Sequence, residues 1–204
     1  MDRRRVNDRL TRLAKELKAV SRERQQRRSR RRKKNVPVIS LVGYTNAGKS
    51  TLLNALTNSR IIAADKLFAT LDPTSRRLRF PRDTEVIITD TVGFIRNLPQ
   101  ELLQAFKATL EELNEADLLV HVIDISNPRF QDQITVVENL LRELQLDNIP
   151  CLRLFNKIDL VDPDTVEKQI RENDGIPISA LVPGTFMIFL EQAEKIISSN
   201  LRLG

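Results

Sequence analysis

Hydrophobic positions change their period along the 204-residue chain. Near the N-terminus they fall at Val6, Leu10, Leu13, Leu17 and Val20, spaced 4, 3, 4 and 3 apart. That spacing predicts a helix with a heptad seam, uninterrupted by Gly or Pro. So narrow a stripe buries little without a facing helix, and no other stretch of the chain offers a matching one. The expected partner is a second copy of the seam or a helix from a segment outside this chain. Beyond Val20 the seam dissolves into SRERQQRRSRRRKKN, and Pro37 disfavours helix at Val36. The expected organisation is a helical arm over 1–35 and a body over 36–204.

In the body, short β-branched runs alternate with helical patterns. PVISLV (37–42) predicts a buried parallel strand, followed by helix from about Gly48 to Leu56. Residues 57–77 show little periodicity, which points to a functional loop. RLRF (77–80) and EVIITD (85–90) predict a hairpin turned by 81–84. A helix is expected over 99–115, a strand over 117–124, a helix over 130–144 and a strand over 151–156. A short helix after Pro163, a short strand over 177–180 and a closing helix over 184–198 complete the series. In the closing helix Phe186, Phe189, Leu190, Ala193 and Ile197 are expected to face inward. Such alternation predicts a three-layer α/β/α fold: a mostly parallel sheet of six strands with helices on both faces. Sites in such folds lie at the carboxyl ends of the strands.

Charge sharpens the division between arm and body. Residues 1–34 carry 16 Lys/Arg against four Asp/Glu, while the remainder carries 17 against 23. A net charge of +6 thus joins an arm of +12 to a body of −6. Such an arm suits nucleic-acid phosphates, bound by counterion release, or serves as a solvated linker. Cys151 is the only cysteine, which excludes an intrachain disulfide framework and suits a reducing, cytoplasmic setting. No apolar run reaches the ~18 residues of a membrane span, and the N-terminus lacks the apolar core of a secretory signal. With no Trp and 4% aromatics, a base-stacking RNA platform is disfavoured.

Four short motifs carry candidate chemistry. Gly43-Tyr44-Thr45-Asn46-Ala47-Gly48-Lys49-Ser50 fits G-x-x-x-x-G-K-[ST] between a strand and a helix, the context that pattern requires. Its backbone N–H groups would cradle phosphate, with Lys49 on the β- and γ-phosphates and the Ser50 hydroxyl on Mg²⁺. Thr51, next in the chain, is counted with the binding residues. Asp90-Thr91-Val92-Gly93 ends a strand. There Asp90 can reach Mg²⁺ through water, and the Gly93 N–H can meet a γ-phosphate. Asn156-Lys157-Ile158-Asp159 ends another strand. The Asp159 carboxylate can accept from guanine N1–H and its 2-amino group, donors that adenine lacks. Asn156 would tie this loop to the phosphate loop, and Lys157 would lie along the base. Ser179-Ala180-Leu181 follows the last strand, where a backbone N–H can meet guanine O6.

These pieces, in this order, resemble the Ras-like GTPases. GYTNAGKSTLLNALT, KLFATLDPTSRRL, DTVGFIRNLPQELLQAFKATLEE and ADLLVHVIDISNP further resemble the HflX family. The resemblance implies a P-loop GTPase fold that binds GTP and GDP, works on the large ribosomal subunit and helps to split ribosomes. In that family a separate N-terminal domain precedes a basic helical linker, so that domain is expected to be missing here. The resemblance also places Phe68-Ala69-Thr70-Leu71-Asp72 in the first switch, where Thr70 would give Mg²⁺ a second hydroxyl; Thr74 is the rival. Lys49, Thr70 and Gly93 are the residues expected to act in hydrolysis.

Departures from these patterns matter as much. Phe94 stands where Ras-like enzymes commonly carry a water-orienting Gln. Unassisted hydrolysis is therefore expected on the order of 10⁻³ s⁻¹ or below. Arg96 could act as a finger in cis, or remain a solvated charge. Asn46 resembles the residue of potassium-activated GTPases that helps to hold K⁺, or simply braces the loop. His121 and Cys151 read as packed side chains, and Asp124 as a cap on Ser126-Asn127-Pro128. Leu181-Val182-Pro183-Gly184 departs from the usual Thr-Gly continuation after Ser-Ala, which puts that loop's geometry in question. Three other readings stay open: an Era- or Obg-like GTPase of rRNA maturation or RNA modification, a nucleotide-regulated binding module, and a P-loop kinase or ATPase, against which Asp159 argues.

Overall fold

The computed structural model describes residues 36–57, 74–90 and 111–203. The arm, the first-switch segment 68–72, the stretch Thr91-Val92-Gly93 with Phe94 and Arg96, and most of the helix expected over 99–115 lie outside the described residues.

Among the described residues six strands form one sheet: β1 (Val38–Val42), β2 (Thr74–Arg79), β3 (Glu85–Asp90), β4 (Leu118–Asp124), β5 (Cys151–Asn156) and β6 (Ile176–Pro177). Their spatial order is β2-β3-β1-β4-β5-β6. Only the β2–β3 hairpin is antiparallel. The helices are α1 (Lys49–Thr57), α2 (Phe130–Glu143), α3 (Pro163–Asn173) and α4 (Met187–Leu203). After β1 the chain builds β3 on one side and β4 on the other, so the loop leaving β1 sits at a switch point, where such sheets open a crevice.

The alternation of side chains makes the layers. Ile39 and Leu41 of β1 and Leu118, Val120 and Val122 of β4 join Leu52 and Leu53 of α1 and Phe189, Ala193 and Ile197 of α4 in one cluster. Val42 and Leu119 join Val137 and Leu141 of α2 in a second cluster. The inward positions expected for the closing helix are buried, apart from partly buried Leu190.

Several boundaries differ from expectation for local reasons. β6 covers only two residues, not 177–180. Ile178 N still donates to Phe155 O at 2.9 Å, but Ala180 N donates instead to the Asn156 side chain, so the chain leaves the ladder. The closing helix begins at Met187 rather than Gly184 because Pro183–Thr185 forms a 3₁₀ turn, and it runs on to Leu203. The described end of the helix expected over 99–115 is a 3₁₀ turn, Glu111–Glu115. The helix after Pro163 spans 11 residues, capped by Asp162, whose carboxylate accepts from Thr165 N at 2.9 Å. Cys151 is exposed, not buried, because β6 pairs only with Leu154 and Phe155 and leaves the start of β5 on an open edge. His121 is buried, as expected of a packed histidine.

Candidate functional site

Five chain segments meet at the carboxyl ends of β1, β3, β4, β5 and β6. The loop from Gly43 to Gly48 joins β1 to α1 and turns in conformations that few side chains allow. Gly43 has φ +147°, and a Cβ there would lie 2.2 Å from Val122 O. Gly48 has φ +94°, and a Cβ there would lie 2.2 Å from Asn156 Nδ2. Asn46, exposed, has φ 61°. Asn tolerates this left-handed conformation better than most residues, which accounts for it without a cation. Tyr44, Thr45, Ser50 and Thr51 are half-buried and Ala47 is buried.

Lys49 opens α1 and is buried at the base of this loop. Its Nζ donates to Gly43 O at 3.1 Å and Tyr44 O at 2.9 Å. Burial pulls its pKa down to about 8, against the opposing pull of the nearby Asp90 charge. The ammonium is thus held at the loop, and α1 has no acid in its first turn to compete for an anion.

Ser50 Oγ donates to Asp90 Oδ2 at 2.5 Å. The pair joins the start of α1 to the end of β3, where Asp90 stands in register with Leu41 of β1. A neutral hydroxyl and an anionic carboxylate, both hard oxygens, are the donor chemistry that Mg²⁺ takes, so these residues fit that ion. Among the described residues no group of three or more His, Cys, Asp or Glu gathers into a metal cluster, so any ion here would also need oxygens from substrate or from the first switch.

Asn156 connects the phosphate loop to the opposite rim. Its Nδ2 donates to Ala47 O at 2.8 Å and its Oδ1 accepts from Ala180 N at 2.9 Å, all of it buried. Lys157 takes a left-handed conformation, φ 68° and ψ 33°, and leads into the 3₁₀ turn Ile158–Leu160. Asp159 is exposed at this rim. Ile158 N donates to Ile178 O at 3.4 Å, which binds the Asn156–Asp159 loop to the Ser179–Leu181 loop. Ser179 and Ala180 are buried, whereas Leu181 is exposed.

Sequence reasoning missed two residues. Asp124 caps Ser126 as expected, but its Oδ2 also accepts from Lys157 Nζ at 2.7 Å. The sequence shows only that Asp124 ends a strand; its register with Asn156, which brings Lys157 beside it, appears in the fold alone. Thr185 takes over where Leu181-Val182-Pro183-Gly184 departs from the common continuation. Its Oγ1 accepts from Ser179 N at 3.0 Å and lies 2.8 Å from Val182 O as donor.

With this geometry in place, likeness to known proteins becomes specific. The family model described as "50S ribosome-binding GTPase" matches residues 38–157. GTPase HflX of Caldanaerobacter subterraneus subsp. tengcongensis is 51% identical over 162 residues, covering 79% of this chain and 38% of that protein. GTPase HflX of Escherichia coli is 43% identical over 210 aligned residues, covering 99% of this chain and 49% of that protein. This chain therefore spans less than half the length of these curated relatives. A GTP-binding protein from the hyperthermophilic archaeon Sulfolobus solfataricus, crystallised with GDP, superposes with a TM-score of 0.66 at 28% identity, covering 95% of this chain and 58% of that one. An Era variant of Aquifex aeolicus bound to GDP.AlF4- shares the fold at TM-score 0.59 and 24% identity, with 80% and 56% coverage. The chain belongs to the 50S ribosome-binding GTPase family, within which it matches the GTPase portion of HflX.

Proposed function

We propose that this chain binds GTP and GDP, hydrolyses GTP slowly on its own, and is driven to faster turnover by contact with the large ribosomal subunit. The observation that carries the reading is the Asn156 side chain, which joins the Ala47 carbonyl of the phosphate loop to Ala180 N of the opposite rim. One amide thereby sets the distance between a triphosphate cradle and a purine rim, so both ends of a nucleotide are gripped by one rigid unit.

In this reading the loop N–H groups from Gly43 to Ser50, with Thr51 behind them, receive the phosphates. Lys49 leaves the Gly43 and Tyr44 carbonyls to neutralise the β- and γ-oxygens. Ser50, Asp90 and Thr70 are the residues proposed to hold Mg²⁺, which would supply neutralisation of phosphate charge when bound. The Gly93 N–H and the switch segment 68–72 are proposed to sense the γ-phosphate. Asp159 accepts from guanine N1–H and the 2-amino group; adenine offers neither donor, so its binding would leave the carboxylate without partners. The alkyl stem of Lys157 lies along the base.

Phe94, following Gly93, cannot hydrogen-bond an attacking water, which is the physical reason for slow unassisted turnover. The basic arm would grip phosphates of ribosomal RNA without reading sequence. No helix among the described residues is long and apolar enough to cross a membrane, and the single cysteine suits work in the reducing cytoplasm. The test is single-turnover GTP hydrolysis with and without purified large subunits. The expected rate alone is on the order of 10⁻³ s⁻¹ or below, rising at least tenfold with subunits. Tens of turnovers per second without a partner, or no response to subunits, would sink the reading.

A further inference from the structure

Asp124 ends β4 and stands in register with Asn156, the last residue of β5 and the first of the proposed base loop. Its two carboxylate oxygens serve different neighbours. Oδ1 accepts from Ser126 N at 3.1 Å and from Ser126 Oγ at 2.5 Å, which closes the turn after β4. Oδ2 accepts from Lys157 Nζ at 2.7 Å. The side chains of Asp124 and Lys157 are only 14% and 31% exposed, so water and salt screen this pair less than a surface pair.

The consequences for Lys157 follow from its backbone. A non-glycine residue with φ 68° is held in a sparsely populated conformation by its surroundings. Its side chain has four rotatable bonds, and free in solvent it would lose that freedom only when a base arrives. Anchored at Nζ, the side chain is held at both ends, by its backbone and by Asp124, before any base arrives. The ordering then belongs to folding rather than to binding, which is how preorganisation raises affinity. The turn bonds at Oδ1 fix the carboxylate that does the anchoring.

We propose that Asp124 is a positioning residue for guanine-nucleotide binding: through the ion pair with Lys157 it presents that side chain as a preformed wall for the purine. This rests on the reading of Asn156–Asp159 as the base loop. The bland alternative is that Asp124 only closes the 124–127 turn. Because each function uses its own oxygen, the two can be separated.

The experiment is a double-mutant cycle on the full chain, reading the Kd of fluorescent GDP, with unfolding midpoints recorded alongside. Asp124→Asn keeps the Oδ1 acceptor for Ser126 and removes the charge facing Lys157; it is expected to weaken GDP binding about tenfold. Lys157→Met is expected to weaken it similarly, and the double variant no further than Lys157→Met alone. Ser126→Ala removes the Oγ donor to Oδ1, leaves the backbone N–H bond and the Lys157 pair in place, and is expected to stay within about twofold of wild type. Asp124→Glu, which retains the charge, is expected to recover part of the affinity lost in Asp124→Asn. Additive losses, an Asp124→Asn variant within twofold of wild type, or a Ser126→Ala loss equal to that of Asp124→Asn would overturn the proposal. Preference for GDP over ADP in the wild-type chain tests the base-loop reading separately. Coupling between Asp124 and Lys157 without that preference would support the ion pair's role while counting against guanine as the base.

Discussion

Replacing Asn156 by Ala tests the joint between the two halves of the site. The side chain is buried and makes two hydrogen bonds, to Ala47 O at 2.8 Å and from Ala180 N at 2.9 Å. Truncation leaves a buried carbonyl and a buried N–H without their partner. Each such group costs roughly 1–3 kcal/mol, giving about 2–6 kcal/mol before any water enters the space. We expect a loss of about 3 kcal/mol, since the site opens toward solvent at Asp159. For a domain of this size that lowers Tm by roughly 6–12 °C. GDP affinity should fall by more than the change in stability alone explains, because the phosphate loop and the Ala180 segment are no longer held at a fixed separation. Asn156→Asp sharpens the assay: the carboxylate can still accept from Ala180 N but meets the Ala47 carbonyl with a second acceptor, so it should be no better than Ala. Thermal unfolding and GDP titration of the three proteins decide the matter. An Ala variant within 1 °C of wild type that binds GDP equally would refute the idea that this amide sets the site's geometry.

Three further outcomes follow from other parts of the molecule. Burial first, then the Arg153 and Lys49 charges, hold the His121 pKa down to about 3, against an ordinary 6.5. A depressed histidine favours the neutral folded form, so its stabilisation is intact above pH 6.5 and lost as pH falls toward 3, by roughly 3 kcal/mol at pH 4; His121→Gln should unfold with a flatter dependence on acid. Thr185→Val removes the acceptor of Ser179 N, with an expected loss of about 1 kcal/mol in stability and a several-fold weaker GDP affinity; unchanged affinity would show that the loop keeps its shape without Thr185. Replacing Arg27, Arg28, Arg30, Arg31 and Arg32 by Gln should flatten the log–log salt dependence of large-subunit binding by up to about 4 in slope when all five meet phosphates, and an unaltered slope would remove the arm as a phosphate contact.

Much of this architecture is legible in the sequence because local rules and the fold agree. The apolar runs of β1 and β4 are buried on both faces, so composition alone marks them, whereas β5 is buried only in its second half, Leu154–Asn156. The phosphate loop is legible for a steric reason, since both of its glycines lie where a Cβ would strike backbone or an amide. The contact of Asp124 with Lys157 is illegible because it joins residues 33 positions apart, brought together by strand register. Thr185 is hidden likewise, since only the folded loop shows a hydroxyl closing on Ser179. The shortened β6 has the same origin: Asn156 takes an N–H that a sequence pattern assigns to a ladder. The exposure of Cys151 depends on how far the neighbouring strand runs, which no window around the cysteine contains.

The central claim is that an exposed carboxylate, Asp159, on a rim fixed by Asn156 chooses guanine. Displacement of fluorescent GDP from the full chain by unlabelled GTP or ATP tests it most directly. The account predicts that GTP displaces the probe at near-stoichiometric concentration, while ATP needs at least a thousandfold more. Displacement by ATP at the same concentration as GTP would contradict it.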